Sequence, residues 1–423
     1  LGSLGGAYRE RVYAGFSGRQ TVVTGQQVQG LLDAALSYID ASLRTNRRED
    51  ALYHSYNILD LSDSGAGIRR LSEMLEGQVA MLSSGELGAQ ESLALLAGLR
   101  ASALYRADQH SYTLYPDKDL AGFLDRNTFP ASRAQDCPLV SSLVAAGDRS
   151  LVVADVHGNL HFAAGIRNVR DVHQVLDRLA ADPDLGEVAR SSRAELLDIF
   201  EEVFTHAEFT GRSGSFFAYE GLGSIYWHMV SKLLLAVQET VERAVADGES
   251  SDTVQALAAA YEDVRAGIGY CKPAEVYGAF PIDPYSHTPA GHGARQPGMT
   301  GQVKEEVLTR LGELGLRVED GRIVFRPVLL RASECRATPG TFEYVDVRGE
   351  DATVDLLAGS LAFTFCQVPV VCRVADALSV RVVQADGTAV DCPDGVIPAE
   401  LSARIFERTG VVDMIEVRTP AAL

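Results

Sequence analysis

Apolar residues recur at helical spacing through the first three-quarters of the chain. Val28, Leu31, Leu32, Ala35, Leu36, Ile39 and Leu43 share one helix face, with polar residues between them. Ile68, Leu71, Leu75, Val79 and Leu82 form a second stripe that ends at Gly85, and Leu93, Leu96, Leu99, Ala103 and Leu104 a third. Weaker helical patterns follow near 171–179 and 194–203. Leu151–Val153 and Leu160–Phe162 flank His157-Gly158-Asn159 and predict a small hairpin. The strongest helix is predicted over 224–245. Ile225, Tyr226, Trp227, Met229, Val230, Leu233, Leu234 and Leu235 make its first half apolar all round, which implies burial. Glu239 and Arg243, four residues apart, bring the other end to solvent. Another amphipathic helix is predicted over 252–266.

A long irregular stretch rich in Gly, Pro, Tyr and His then runs from Gly267 to Gly298. Loops of this length in a compact domain usually carry function. A helix over 300–314 follows, with Val303, Val307, Leu308, Leu311 and Leu314 on one face and Gly315 at its C′ position. Beyond Gly315 the period becomes two. Leu316-Arg317-Val318 and Ile323-Val324-Phe325 flank the turn Glu319-Asp320-Gly321-Arg322. Short strands are predicted at 342–347, 354–357, 361–365, 368–374, 378–384 and 411–417. The pattern therefore predicts a mainly α chain with a C-terminal β domain: a helical domain over 1–315, then an antiparallel β-sandwich over 316–423.

Composition narrows the partners. The chain has 423 residues, enough for two or three domains, and 46% are hydrophobic. A net charge of −19 repels phosphate backbones and anionic lipid, so neither nucleic acid nor a membrane surface is expected as a partner. No apolar run is long enough to span a membrane. The six cysteines form no CxxC pair and the nine histidines no HExxH, so no metal site is expected. Free buried thiols point to the cytoplasm. Neither GxGxxG nor GxxxxGK[ST] occurs, so no nucleotide cofactor is implied. The chain opens on Leu1 with no signal-like segment, and an upstream part of the same protein is expected.

Three constellations carry candidate chemistry. Glu220 lies in the Gly-rich, aromatic lead-in Gly211–Gly223, just before the strongest helix. Desolvation there would raise its pKa and suit it to donate a proton, whereas the helix dipole would lower it. The competing reading is a cap on the first helical turn. Glu275, Tyr277, Asp283, Tyr285, His287, His292, Arg295 and Gln296 gather rings, carboxylates, imidazoles and a guanidinium within the long loop. Rings stack on pyranose faces and polar groups fork to hydroxyls; the competing reading is an ordered surface loop. Trp227, opening the strongest helix, joins these candidates for substrate binding. Thr300 and Gly301 start the next helix, where free N–H groups form an anion site or where Thr300 is an ordinary N-cap. Glu305 and Glu306 follow, as expected of a solvated face.

The order of these features resembles the six-hairpin, or (α/α)6-toroid, glycosidase superfamily, nearest to inverting disaccharide phosphorylases of the cellobiose phosphorylase type. The matching pieces are Glu220–Leu235, Glu275–Tyr277, Pro297-Gly298-Met299-Thr300-Gly301, and Gly315-Leu316 through Asp320-Gly321-Arg322-Ile323 to Pro327. The likeness is specific over 214–327 and architectural elsewhere. It implies a toroid-like helical domain, with phosphate held by Thr300 and Gly301 and helped by His287. Three departures stand, one being that the N-terminal β-sandwich of the phosphorylases is not found in this sequence. Gln302-Val303-Lys304-Glu305 replaces the Gly-Thr-Ala and Trp of the phosphorylases, and their Asp-rich acid motif is absent.

The expectation is thus an inverting glycoside phosphorylase or hydrolase acting on a disaccharide or oligosaccharide. Glu220 would be the general acid. Asp283 or Glu275 would serve as base if water is the nucleophile. No cofactor is implied beyond inorganic phosphate as co-substrate. Two alternatives stay open: a carbohydrate-binding module without catalysis, and a polysaccharide lyase using Tyr277 and His287.

Overall fold

The computed structural model describes residues 2–62, 65–117, 122–205, 223–281, 284–298 and 301–420; Glu220, Asp283, Met299 and Thr300 lie outside them. The chain divides into two compact units, Leu1–Arg47 and Arg48–Leu423. The first holds helices Gly2–Tyr13 and Gly25–Thr45. Thr24 and Gln27 form a reciprocal capping box that fixes where the second helix starts. Its predicted stripe of Val28, Leu31, Leu32, Leu36 and Ile39 is exposed.

The second unit is organised around the helix Trp227–Ala246, which packs against helices Leu75–Ser84, Ser251–Ala266 and Gln302–Glu313. Trp227, Val230, Leu233, Ala236, Val237 and Val241 are fully buried, as an all-round apolar surface requires. The stripe predicted over 68–82 breaks in two. Ile68 lies in the strand Gly65–Arg69, paired with Ile58–Ser62, and the helix starts at Leu75.

The helix Gln302–Glu313 inverts its expected polarity. Gln302, Glu305, Thr309 and Glu313 are its buried residues, whereas Val307 and Leu308 are exposed. Buried polar groups need partners, and this face has them. Gln238 Nε2 donates to the Thr309 carbonyl at 2.9 Å. The Glu313 carboxylate accepts from Tyr261 Oη at 2.6 Å, Arg265 Nε at 2.8 Å and Arg310 Nη1 at 2.6 Å.

Residues 123–204 form a subdomain with a core of its own. The helices Pro138–Ala146, Val169–Ala180 and Arg193–Phe204 and the hairpin Val152–Ala154/Leu160–Phe162 enclose Cys137, Leu139, Leu143, Phe162, Leu176 and Ile199. The chain segments that flank it come together. Leu114 N donates to the Ser224 carbonyl at 3.1 Å, and a Cβ on Gly223 would lie 2.6 Å from Asp117 Oδ1. Gly223 also has φ +61, in the left-handed region that suits glycine. The chain therefore departs at Asp117 and returns at Gly223, as an insertion does.

The β part begins with the hairpin Leu316–Glu319/Arg322–Phe325, turned by Asp320 and Gly321, both at positive φ. A second hairpin, Gly340–Val345/Asp351–Leu356, precedes a five-stranded sheet. Its strand order is Ser360–Phe365, Val368–Val374, Val412–Thr419, Ser379–Gln384, Ala389–Cys392. Antiparallel pairing was expected throughout, but Val370–Val374 runs parallel to Ile415–Thr419. A parallel neighbour needs a crossover, and the chain between the two strands contains the hairpin of the sheet's far edge and the unforeseen helix Ala399–Phe406. All six cysteines are free thiols; Cys137, Cys372 and Cys392 are buried as expected, but Cys271 is exposed. Among the described residues no helix is long and apolar enough to cross a membrane.

Candidate functional site

The stretch 267–298 is not structureless. A 3-10 turn Gly269–Cys271, a short helix Ala274–Tyr277 and the strands Tyr285–Thr288 and Arg295–Pro297 organise it. The two strands extend the short strand Ile225–Tyr226 into a three-stranded antiparallel sheet at the start of the central helix. His287 stands opposite both Tyr226 and Arg295 in this sheet, and Tyr285 opposite Pro297. Closure depends on two glycines: a Cβ on Gly278 would lie 2.4 Å from the Gly293 Cα. Ala294 N then donates to the Tyr277 carbonyl at 3.1 Å, which ties the far end of the loop to the short helix.

The sheet seats an aromatic wall. Trp227 Nε1 donates to Thr288 Oγ1 at 3.0 Å, which satisfies the buried indole N–H. The Trp227 and Tyr277 rings meet edge to face at 5.2 Å, and Tyr277 meets Tyr285 the same way at 5.8 Å. Two of the residues expected to bind substrate lie inside this wall. Trp227 and Tyr277 are 0% and 1% exposed, so neither offers a face to a substrate. They support Tyr285, which is half-buried. Burial, with Glu306 and Tyr285 nearby, pushes the Tyr277 phenol above its ordinary range.

The other expected residues spread around this wall. His287 is half-buried, and its Nδ1 is a buried atom with no hydrogen-bond partner. His292, Arg295 and Gln296 are exposed, and Gln296 has φ +57. Glu275 is exposed too. Glu220, Asp283 and Thr300 lie outside the described residues, three residues before Gly223, one before Pro284 and one before Gly301.

Sequence reasoning missed His228. It occupies the first turn of the central helix, with Nε2 3.4 Å from Glu305 Oε1, and a Cβ on Gly301 would lie 2.4 Å from its Cε1. The ring is thus covered by the backbone that opens the helix Gln302–Glu313 and held from the side by a carboxylate that is 3% exposed. Glu305 is therefore no part of a solvated face. Neither is Glu306. Gln302 Nε2 donates to its Oε1 at 2.7 Å, yet burial raises its pKa and makes the protonated carboxyl easier to populate. A histidine set among apolar residues where a helix begins was the available signal.

Arg106, Gln109 and His110, in the hairpin Tyr105–Arg106/Ser111–Tyr112 and its turn, divide by role. Arg106 Nη1 donates to the carbonyls of Thr288 at 3.0 Å and Gly223 at 3.3 Å, which joins the sheet to the return of the insertion. Gln109 Nε2 donates to the Val276 carbonyl at 2.7 Å. His110 turns the other way: its Nδ1 is 3.2 Å from Tyr105 Oη, and its Nε2 3.1 Å from Asp263 Oδ1. Asp155 and His161 act within their own hairpin, where Asp155 accepts from the N–H groups of His157 and Asn159. Among the described residues no group of three or more His, Cys, Asp and Glu side chains is placed to hold a metal ion.

Residues 120–207 match the family model of the GH149 phosphorylase insertion domain 2. This match covers the subdomain with its own core and ties that part of the chain to a glycoside phosphorylase-related family. It lies on weakly patterned residues upstream of the stretch that suggested the likeness in the sequence. No curated protein matches the chain.

Proposed function

We propose that the chain belongs to a carbohydrate-active enzyme of the inverting glycoside phosphorylase class, acting on a disaccharide or oligosaccharide. Its helical domain, to about residue 315, would be toroid-like, and a β-sandwich domain would follow. The observation that carries the reading is the juxtaposition of Gly301, opening a helix, with the His228 imidazole, beside the sheet that holds Tyr285, His287 and Arg295. The positive end of a helix dipole favours an anion, and a histidine ring beside it can add a hydrogen-bond donor. The insertion match supports the same class.

In this reading phosphate sits against Thr300, Gly301 and His228, with His287 and Arg295 beside it. Tyr285, His292 and Gln296 meet the sugar. A phosphate oxygen attacks the anomeric carbon from the face opposite the scissile bond. The bond to the leaving oxygen breaks, and that oxygen takes a proton from the general acid, the role assigned by position to Glu220. No catalytic base is required, because phosphate arrives as the nucleophile. A hydrolase would instead need a second carboxylate to activate water, the role left for Asp283 or Glu275.

The test is a panel of glucose disaccharides and short oligosaccharides incubated with and without inorganic phosphate, with sugar 1-phosphate and free sugar both measured. Phosphate-dependent release of sugar 1-phosphate is expected. Equal release of free sugar in both arms would make the enzyme a hydrolase, and an unsaturated product absorbing in the ultraviolet would make it a lyase.

A further inference from the structure

Lys272 is a buried cation that the proposed chemistry does not use. It is 7% exposed, at the end of the 3-10 turn Gly269–Cys271. Its Nζ lies 4.6 Å from the centre of the Trp227 ring and donates one long hydrogen bond, 3.4 Å, to Gln109 Oε1. An ammonium has three donors, and burying it with so few acceptors is costly unless the site uses the charge. Gln109 is itself buried and anchored to Val276 at 2.7 Å, so the amide facing Lys272 cannot swing away freely. The charged and titratable groups around Lys272 are Asp108 and Arg106, which pair with each other on the neighbouring turn, and Cys271 beside it in the chain. Among the described residues no carboxylate lies within ion-pair distance of it.

The contacts form a series. Lys272 touches Trp227, Trp227 meets Tyr277, Tyr277 meets Tyr285, and Tyr285 is the member that reaches the surface. We propose that Lys272 is a positioning residue, whose ammonium holds Trp227 in place and through Trp227 and Tyr277 sets where Tyr285 stands at the mouth of the site. A desolvated cation over an indole is attracted more strongly than an exposed one, and neutralising it removes that attraction. Desolvation by burial brings the Lys272 pKa down to about 8, so the device would respond within an ordinary laboratory range of pH. That Tyr285 faces a sugar rests on the function proposed above; that Lys272 sets the wall does not.

Trp227 is the chain's lone tryptophan, so its emission reports on this contact without any substrate. The experiment follows tryptophan emission from pH 6 to 10 in the wild type, Lys272→Met, Lys272→Arg and Cys271→Ser. The wild type and Cys271→Ser are expected to show one step with a midpoint about 8. Lys272→Met is expected to lose the step. Lys272→Arg, which keeps the cation, is expected to hold the emission of the acidic wild type across the range. A step of unchanged midpoint and size in Lys272→Met, or its loss in Cys271→Ser, would overturn the proposal. Because no sugar is added, a failure here is distinct from a failure of the phosphorylase reading.

Discussion

A Cβ on Gly301 would lie 2.4 Å from Cε1 of His228, so the backbone that opens the helix Gln302–Glu313 rests directly on an imidazole. Gly301→Ala should force the ring or the helix start to move, at a cost of about 1–3 kcal/mol as in other overpacked sites. Removing the ring should make room. The double variant Gly301→Ala/His228→Ala is expected to be more stable than the sum of the single effects allows, by at least about 0.5 kcal/mol. Urea unfolding of the four proteins measures this; strict additivity would mean that the two residues do not touch.

The Glu313 carboxylate accepts from Tyr261, Arg265 and Arg310 while only 4% exposed. Glu313→Leu would leave the Arg265 guanidinium and the Tyr261 hydroxyl without their buried acceptor, while Arg310 keeps Glu334, and should cost about 3 kcal/mol. A fall in the urea midpoint too small to match that figure would show that the network contributes little to the fold.

Gly223 and Gly158 separate backbone strain from close approach. Both have positive φ, +61 and +87, but a Cβ on Gly158 meets open space whereas one on Gly223 meets Asp117. Gly158→Ala should therefore cost about 1–2 kcal/mol, the backbone term alone. Gly223→Ala should cost measurably more. Equal losses in thermal or urea unfolding would dismiss the Asp117 contact as a constraint on where the insertion returns.

Lys272 gives a stability prediction with a definite sign. Its folded-state pKa falls to about 8, against 10.5 for the ordinary side chain. Between these values the unfolded chain binds more protons than the folded one, so stability rises with pH across that window. Below pH 8 both states are protonated and the folded state bears the full cost of the buried cation. The gain is on the order of 3 kcal/mol at most. Unfolding measured at pH 7.5 and pH 10 should show the wild type gaining relative to Lys272→Met by an amount approaching that figure. Parallel pH dependence of the two proteins would rule the effect out.

How much of this could be read from the sequence differs from element to element. The burial of the helix at Trp227 was legible, because its residues are apolar in every direction. The hairpin at Asp320-Gly321 was legible, because its turn chemistry is local. The helix Gln302–Glu313 misled, because burial there is decided by partners far along the chain: Tyr261, Arg265 and Gln238 satisfy a polar face that would otherwise belong in water. The site divided in the same way. Tyr285, His287 and Arg295 were recognised by type and do share one sheet. Trp227 and Tyr277 were recognised by type too, but chemistry alone could not tell a ring that contacts a ligand from a ring that supports one. His228 gave little signal because a single polar residue beside a long apolar run looks like ordinary helix variation, and Lys272 because a lone lysine in the Gly- and Pro-rich stretch 267–298 looks like a solvated loop residue.

The most direct test of the central claim is calorimetric titration of inorganic phosphate into the wild type and Gly301→Ala at neutral pH. Phosphate is expected to bind the wild type at one site, and Gly301→Ala is expected to weaken it at least about tenfold, corresponding to about 1.4 kcal/mol. Absence of phosphate binding in the wild type, or equal affinity in the two proteins, would contradict the placement of the anion at Gly301 and His228.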